Sequence, residues 1–341
     1  MDKIVLLGKT MPELKLLSEE LGLPKFAARQ IADWLYKKNV DSVEQMTNIS
    51  LANRNKISER CVVGKSLPEN VMVSADGTKK YLFRVQDKFV EAVYIPEKDR
   101  ATLCVSSQVG CKMNCLFCMT GKQGFGCNLT SGEILNQMQA IPEFDKLTNV
   151  VFMGMGEPMD NVKNVLAALE IMTSDYGYAW SPKRVTVSTV GIVPGMREFL
   201  QKSSCHLAVS LHNPFPDERL AMMPIEKAYP IVDVLSEIKE YDFTGQRRVS
   251  FEYTMFKGKN DTPRHAAELK RLLDGLECRM NLIRFHAIPD VPLEGSSDGE
   301  IEKFQSELSK RGLLATIRKS RGEDIFAACG LLSTMKNNKE L

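Results

Sequence analysis

Residues 100–125 read RATLCVSSQVGCKMNCLFCMTGKQGF. The stretch opens on a short apolar and β-branched run, Ala101 to Ser107, which has the composition of a buried strand. Three thiols follow at once, Cys111, Cys115 and Cys118, at C-x3-C-x2-C spacing. A four-iron cluster normally takes four thiolates, so three close ones leave one iron free for a ligand that is not protein. The competing readings are a zinc site short of its second ligand pair and three ordinary core thiols. No further C-x2-C or H-x3-H pair lies at finger spacing, which weighs against zinc. Phe117 beside Cys118 is an aromatic that flanks a cluster or simply packs in the core.

Strand and helix signals alternate outward from this segment toward the C-terminus. Candidate strands are ATLCVSS, NVVFMG, RVTVSTV, HLAVSLH, RVSFEYTMF and CRMNLIRF. Between them lie SGEILNQMQAI, VKNVLAALEIMTS, VPGMREFLQKS, PIVDVLSEIKEY and TPRHAAELKRLLDGL, with apolar residues at helical spacing. Thr130 with Glu133 forms a capping box for the first of these helices. Six strands in such alternation predict an α/β protein with a parallel sheet, open or curled into a partial barrel, and ligands at the strands' carboxyl ends. Toward the N-terminus the pattern differs. LKLLSEEL, FAARQIADWLYKK and SLANRNKISERC read as helices, and residues 70–95 switch to period two, with turn signals at Asp76-Gly77 and Gln86-Asp87-Lys88. The chain therefore divides into a helical module (1–65), a β-meander (66–97) and an α/β core (98–335).

Bulk properties narrow the class. The 341 residues are 43% hydrophobic and 26% charged, as in ordinary folded proteins. No run approaches the roughly 18 apolar residues of a membrane helix, and MDKIVLLGKTMPEL is too short in apolar residues for a signal peptide. These features predict a cytoplasmic protein with no membrane partner. In a reducing compartment, nine cysteines are ligands, catalysts or core residues rather than a disulfide frame. A net charge of +2 does not mark a strong polyanion binder, and the +4 held by residues 1–90 is a mild excess.

Further polar groups stand where strands end. GMGEP (Gly154–Pro158) closes NVVFMG: its glycines let backbone approach a ligand, and Glu157 suits an ammonium group. By itself it is as readily a tight turn. Ser188, the Ser210-Leu211-His212 run and His286 end the next strands, where polar groups face a ligand crevice or satisfy their own loops.

Taken together, RATLCVSSQVGCKMNCLFCMTGKQGF, LT-x-GEI, FMGMGEP, RVTVSTVG, AVSLH and the late AACG (Ala327–Gly330) closely resemble the RlmN/Cfr family of radical-SAM adenosine methyltransferases, over nearly the whole chain. The resemblance implies a partial (β/α)6 barrel with an RNA-binding helical accessory module. It implies a [4Fe–4S] cluster on Cys111, Cys115 and Cys118, with S-adenosylmethionine on the open iron. Gly156, Glu157, Ser188, Ser210, Leu211, His212 and His286 are then its further contacts, His286 standing where the family carries an asparagine. Cys329 matches the cysteine that is methylated and carries the methyl group to RNA. Cys104 matches the one that resolves the protein–RNA crosslink through a transient disulfide, and Glu91 matches a proton acceptor. Cys127 falls near enough to pass for a fourth ligand, but a fourth thiolate would block the SAM position. Cys61, Cys205 and Cys278 remain core residues.

The implied reaction is formation of 2-methyladenosine in 23S rRNA and tRNA by a monomeric enzyme fed by a flavodoxin- or ferredoxin-like electron donor. Methylation of carbon 8, as in the Cfr branch, shares every motif quoted. A radical-SAM enzyme acting on a peptide or metabolite is a third reading. Lys37, Lys38, Lys79, Lys80, Arg84, Arg247, Arg248 and Lys257 are candidate phosphate contacts or ordinary solvated surface.

Overall fold

A computed structural model describes residues 3–243, 245 and 247–334; residue 335, the last of the expected core segment, lies outside them. Fourteen strands are found among the described residues. β1 (Ile4–Val5) and β2 (Cys61–Val62) pair in parallel within the N-terminal module. A ten-stranded sheet runs through β3 (Asn70–Val73), β4 (Lys79–Val85), β5 (Lys88–Pro96), β6 (Ala101–Cys104), β9 (Asn149–Phe152), β10 (Val185–Thr189), β11 (His206–Ser210), β12 (Val249–Met255), β13 (Cys278–Arg284) and β14 (Ala315–Arg318), in that spatial order. β7 (Gln108–Gly110) and β8 (Phe125–Asn128) form a separate antiparallel pair.

From β6 onward every strand is parallel to its neighbour, whereas β3, β4, β5 and β6 pair antiparallel. The meander continues the edge of the barrel sheet as an extension of it. The seven parallel strands include β14, which the sequence pattern does not announce. It is four residues long and three of them are exposed, so it lacks the apolar run of a buried strand. β14 and β3 end the row without pairing to each other, so the sheet stays open.

The crossover helices follow the strand order. Ser131–Gln139 packs on Val162–Thr173, that on Val193–Lys202, and that on Ile231–Lys239. Each buries one face, such as Val165, Leu169 and Met172 of the second, and these side chains meet strand residues in one core that also takes in Leu14, Ile31 and Leu35 of the helical module. The module is thus packed onto the barrel. Gln139 Nε2 donates to the Leu35 carbonyl (2.7 Å) and Tyr36 touches Tyr176 and Tyr178. A side chain on Gly8 would meet the Gly132 backbone at 2.1 Å, so both positions need glycine for the approach.

Candidate active site

The cysteine loop leaves the sheet just after β6. Its base is closed by β7 and β8 and by Cys111 N donating to the Gly124 carbonyl (3.1 Å). Inside it, Asn114 takes a left-handed conformation (φ 50°), which turns the chain back between Cys111 and Cys115. The Met113 amide already points at Cys111 Sγ (3.5 Å). As free thiols these groups are disfavoured as anions. Burial pushes Cys111 up to about 12 and Cys115 well above the usual thiol range, and each is raised further by its neighbouring cysteines. An iron charge reverses that penalty. An all-sulfur donor set, wrapped by a turned loop with an amide aimed at sulfur, fits a cluster. No three His, Cys, Asp or Glu side chains among the described residues converge on a point that would hold one metal ion.

The carboxyl ends of β9, β10, β11 and β12 meet this loop at a cavity lined by Cys118, Gly156, Glu157, Ser188, Thr189, Ser210, His212, Glu252, Thr254 and Cys329, among others. Gly156 has φ 97°, and a side chain there would strike Gln108 at 2.5 Å. Glu157 is held rigidly: Thr189 Oγ1 (2.6 Å) and the Met159 amide (2.9 Å) donate to Oε1, and the Val190 amide (2.9 Å) to Oε2. Burial nevertheless raises its carboxyl to about 7. His212 sits in the left-handed region (φ 53°), its Nδ1 accepts the Thr254 amide (2.9 Å), and burial drops it to about 3, so it is neutral. Phe117 packs edge-on against His212 and beside Phe256, joining the cysteine loop to the end of β11.

Two of the expected cofactor contacts lie elsewhere. The Leu211 side chain is fully buried in the core; only its main chain faces the neighbourhood, its amide donating to Glu252 O and its carbonyl accepting from Arg219. His286 lines a second cavity, where its Nε2 lies 2.9 Å from Ser320 Oγ.

Cys329 borders both cavities. It is exposed to them while deep among protein atoms. Burial raises its thiol, and Arg318 opposes the rise. Cys104, on β6, is buried and pushed up to about 12, first by burial and then by the nearby Cys329 charge. Both are free thiols here.

Glu91, on β5, lines neither cavity. Its carboxylate is buried against Lys80 (3.0 Å) and accepts the Ser333 amide (3.0 Å). Desolvation raises it, and Lys80 works in the opposite direction. With Lys80 Nζ to the Phe326 carbonyl, the Met119 amide to the Gly330 carbonyl, Thr120 Oγ1 to the Leu332 carbonyl and Gln123 to Thr334, these contacts clasp the segment that bears Cys329.

The second cavity carries Arg100, Arg318, Lys319 and Arg321 with Glu97; Arg321 Nη1 lies 3.8 Å from Asp76, and its Nε is buried with no hydrogen-bond partner among the described residues. Sequence reasoning passes over this group, because RKSR reads as a solvated charge run. Most of the basic residues that the sequence does single out are engaged within the protein: Lys79 with Glu143, Lys80 with Glu91, Arg84 with Glu69, Lys38 with Asp33, Lys257 with Glu294. Glu252, absent from the sequence expectations, is hidden in an ordinary strand pattern.

Comparison with known proteins agrees with this architecture. Residues 105–269 match the Radical SAM superfamily, and residues 4–63 match the ribosomal RNA large subunit methyltransferase N-terminal domain. The probable dual-specificity RNA methyltransferase RlmN of Parabacteroides distasonis is 59% identical over 98% of this chain and 98% of its own length. The dual-specificity RNA methyltransferase RlmN of Syntrophus aciditrophicus is 42% identical over 98% and 97%. The crystal structure of a radical SAM methyltransferase from Sphaerobacter thermophilus superposes with a TM-score of 0.90 at 38% identity, covering 96% of this chain and 99% of that one.

Proposed function

Since the chain belongs to the RlmN family of dual-specificity RNA methyltransferases, within the radical SAM superfamily, we propose that it methylates carbon 2 of adenine in 23S rRNA and tRNA, with Cys329 as the methyl carrier. The observation that carries this reading is the position of Cys329. It borders one cavity with Cys118, Gly156, Glu157, Ser188, Ser210 and His212, and a second with Arg100, Arg318, Lys319 and Arg321. A carrier between donor and acceptor needs that placement.

Cys111, Cys115 and Cys118 would hold the [4Fe–4S] cluster, which together with S-adenosylmethionine supplies hydrogen-atom abstraction from an unactivated methyl group. Glu157 receives the methionyl amine on a carboxylate fixed by three donors. His212 stays neutral and fills the wall beside Phe117, and the apolar packing of Phe117 and Phe256 keeps water from the reacting atoms. Cys329 takes the methyl group on sulfur and presents it to a base extruded into the second cavity, whose cations face the flanking phosphates. The Cys104 thiolate then attacks Cys329 Sγ. Before that attack the S-methyl carbon, having lost one hydrogen atom, has bonded to carbon 2 of the base, and the adduct has given up the carbon-2 proton and one electron, which the oxidised cluster would accept. The sulfur–sulfur bond then forms, the sulfur–carbon bond breaks, and the departing carbon keeps the electron pair and gains a proton. The family resemblance gives the proton lost from the base to Glu91; because Glu91 is paired with Lys80 and lines neither cavity, that role requires the pair to open. External thiol exchange resets the pair.

Nucleoside mass spectrometry on RNA treated with the reconstituted protein tests the assignment. The expected product is 2-methyladenosine; 8-methyladenosine overturns it. Cys104→Ala should give no turnover and accumulate a covalent protein–RNA adduct, whereas Cys329→Ala should give neither product nor adduct.

A further inference from the structure

One carboxylate in the first cavity has no part in the reaction described above. Ser210, Glu252, Asn281 and Thr316 stand in register on β11, β12, β13 and β14. Residues in register on adjacent parallel strands project to the same face of a sheet. Hydrogen bonds run along this row. Thr316 Oγ1 donates to Asn281 Oδ1 (2.8 Å), and Asn281 Nδ2 donates to Glu252 Oε1 (2.7 Å). Ser250 Oγ donates to the same glutamate oxygen (3.0 Å). Glu252 is 3% exposed, and its other oxygen, Oε2, is buried with no hydrogen-bond partner among the described residues. The residue lines the cavity beside Ser210 and His212. A buried acceptor without a donor is costly, and native proteins rarely leave one. Two donors, Asn281 Nδ2 and Ser250 Oγ, fix Oε1, and Thr316 in turn holds Asn281, so the free oxygen is a built acceptor awaiting a ligand.

An adenosyl ligand offers three kinds of donor: its amine, its two vicinal ribose hydroxyls and its exocyclic adenine amine. The amine is accounted for at Glu157, which follows β9, three strands away from β12. Two polar side chains side by side on strands about 4.8 Å apart match a pair of adjacent hydroxyls.

We propose that Glu252 Oε2 accepts a hydrogen bond from one ribose hydroxyl of the S-adenosyl ligand, with Ser210 beside it at the other. The proposal rests on the reading of this cavity as the S-adenosylmethionine site. It makes Glu252 a binding residue that selects a ribonucleoside over a deoxyribonucleoside.

Calorimetric titration of the cluster-reconstituted full chain with S-adenosylhomocysteine and with its 2′-deoxy and 3′-deoxy analogues tests it. Wild type should bind the parent compound about tenfold or more tightly than one of the two analogues, the usual scale of a charge-assisted hydrogen bond. In Glu252→Gln the amide oxygen stays with Asn281 and Ser250, so the amide nitrogen turns to the cavity and the free acceptor becomes a donor. That variant should weaken the parent compound by a similar factor and lose the preference, binding parent and analogue within about twofold. If Glu252→Gln does not fold, Glu252→Asp, which withdraws the oxygen, should show the same loss of preference. A wild type that binds S-adenosylhomocysteine without preferring it over either analogue overturns the proposal alone, as does a variant that keeps the preference. A wild type that binds none of the three overturns the cavity's reading as well. A loss of affinity for an RNA stem-loop, with the nucleoside preference intact, also contradicts it.

Discussion

Glu157 shows how much a single buried group is asked to do. Burial raises its carboxyl to about 7, despite donation from Thr189, Val190 and Met159. The raised value means that the ligand-free protein holds a proton there that the unfolded chain has already lost, over the interval from about 4.5 to 7. Its contribution to stability is therefore fully present below 4.5 and is lost as the pH rises through 7. Ligand binding runs the other way, because an ammonium group selects the ionised carboxylate. Calorimetry from pH 6 to 8.5 should show S-adenosylhomocysteine binding more tightly as the pH rises through 7 and levelling above it, with that slope absent in Glu157→Gln. An unchanged slope in the variant would remove Glu157 from amine binding. Legibility at this scale follows chain distance. Cys111, Cys115 and Cys118 declare themselves because their spacing is local, and Glu157 because it sits between glycine and proline. Cys104 and Cys329 are lone thiols that gain meaning only from the resemblance to a family. Glu252 is invisible in the sequence. In RVSFEYTMF a glutamate looks like a solvent-facing strand residue, and only the sheet's register turns it into a cavity wall.

At the scale of elements, the segment carrying Cys329 is held by the meander and by the turn after the cysteine loop. Its central contact is the buried Lys80–Glu91 pair. Removing one partner of a buried pair leaves the other charge uncompensated, at a cost of about 3 kcal/mol. Lys80→Met should lower unfolding stability by about that amount in urea titrations and speed alkylation of Cys329 by a thiol reagent. Unchanged alkylation would mean that the clasp does not hold the segment. The long strands and their crossover helices are legible from periodicity, as are the turns at Asp76-Gly77 and Gln86-Asp87. β14 is not, since a short edge strand with exposed side chains carries no apolar pattern. Nor is the fusion of the meander to the barrel sheet, which depends on the antiparallel pairing of β5 with β6 and not on any local feature of either strand.

For the whole molecule, the decisive feature is two cavities sharing Cys329, one lined by cofactor-type groups and one by cations. Net charge conceals this, because +2 is summed over all 341 residues and does not register where Arg100, Arg318, Lys319 and Arg321 gather. Replacing Lys319 and Arg321 with alanine should weaken an RNA stem-loop about tenfold at low salt and flatten the dependence of log K on log salt by about 0.7–0.9 for each phosphate no longer neutralised. S-Adenosylhomocysteine affinity should stay at the wild-type value. An unaltered salt slope would place RNA elsewhere. Passage of the methyl group through Cys329, from one cavity to the other, can be followed on the protein itself. The reconstituted protein is incubated anaerobically with methyl-labelled S-adenosylmethionine and no RNA, its peptides are mapped by mass spectrometry, and RNA and reductant are then added. Label is expected on Cys329 alone in the first stage and on adenosine in the second. Label appearing in adenosine with Cys329 never modified, or product formed at the wild-type rate by Cys329→Ala, would contradict it.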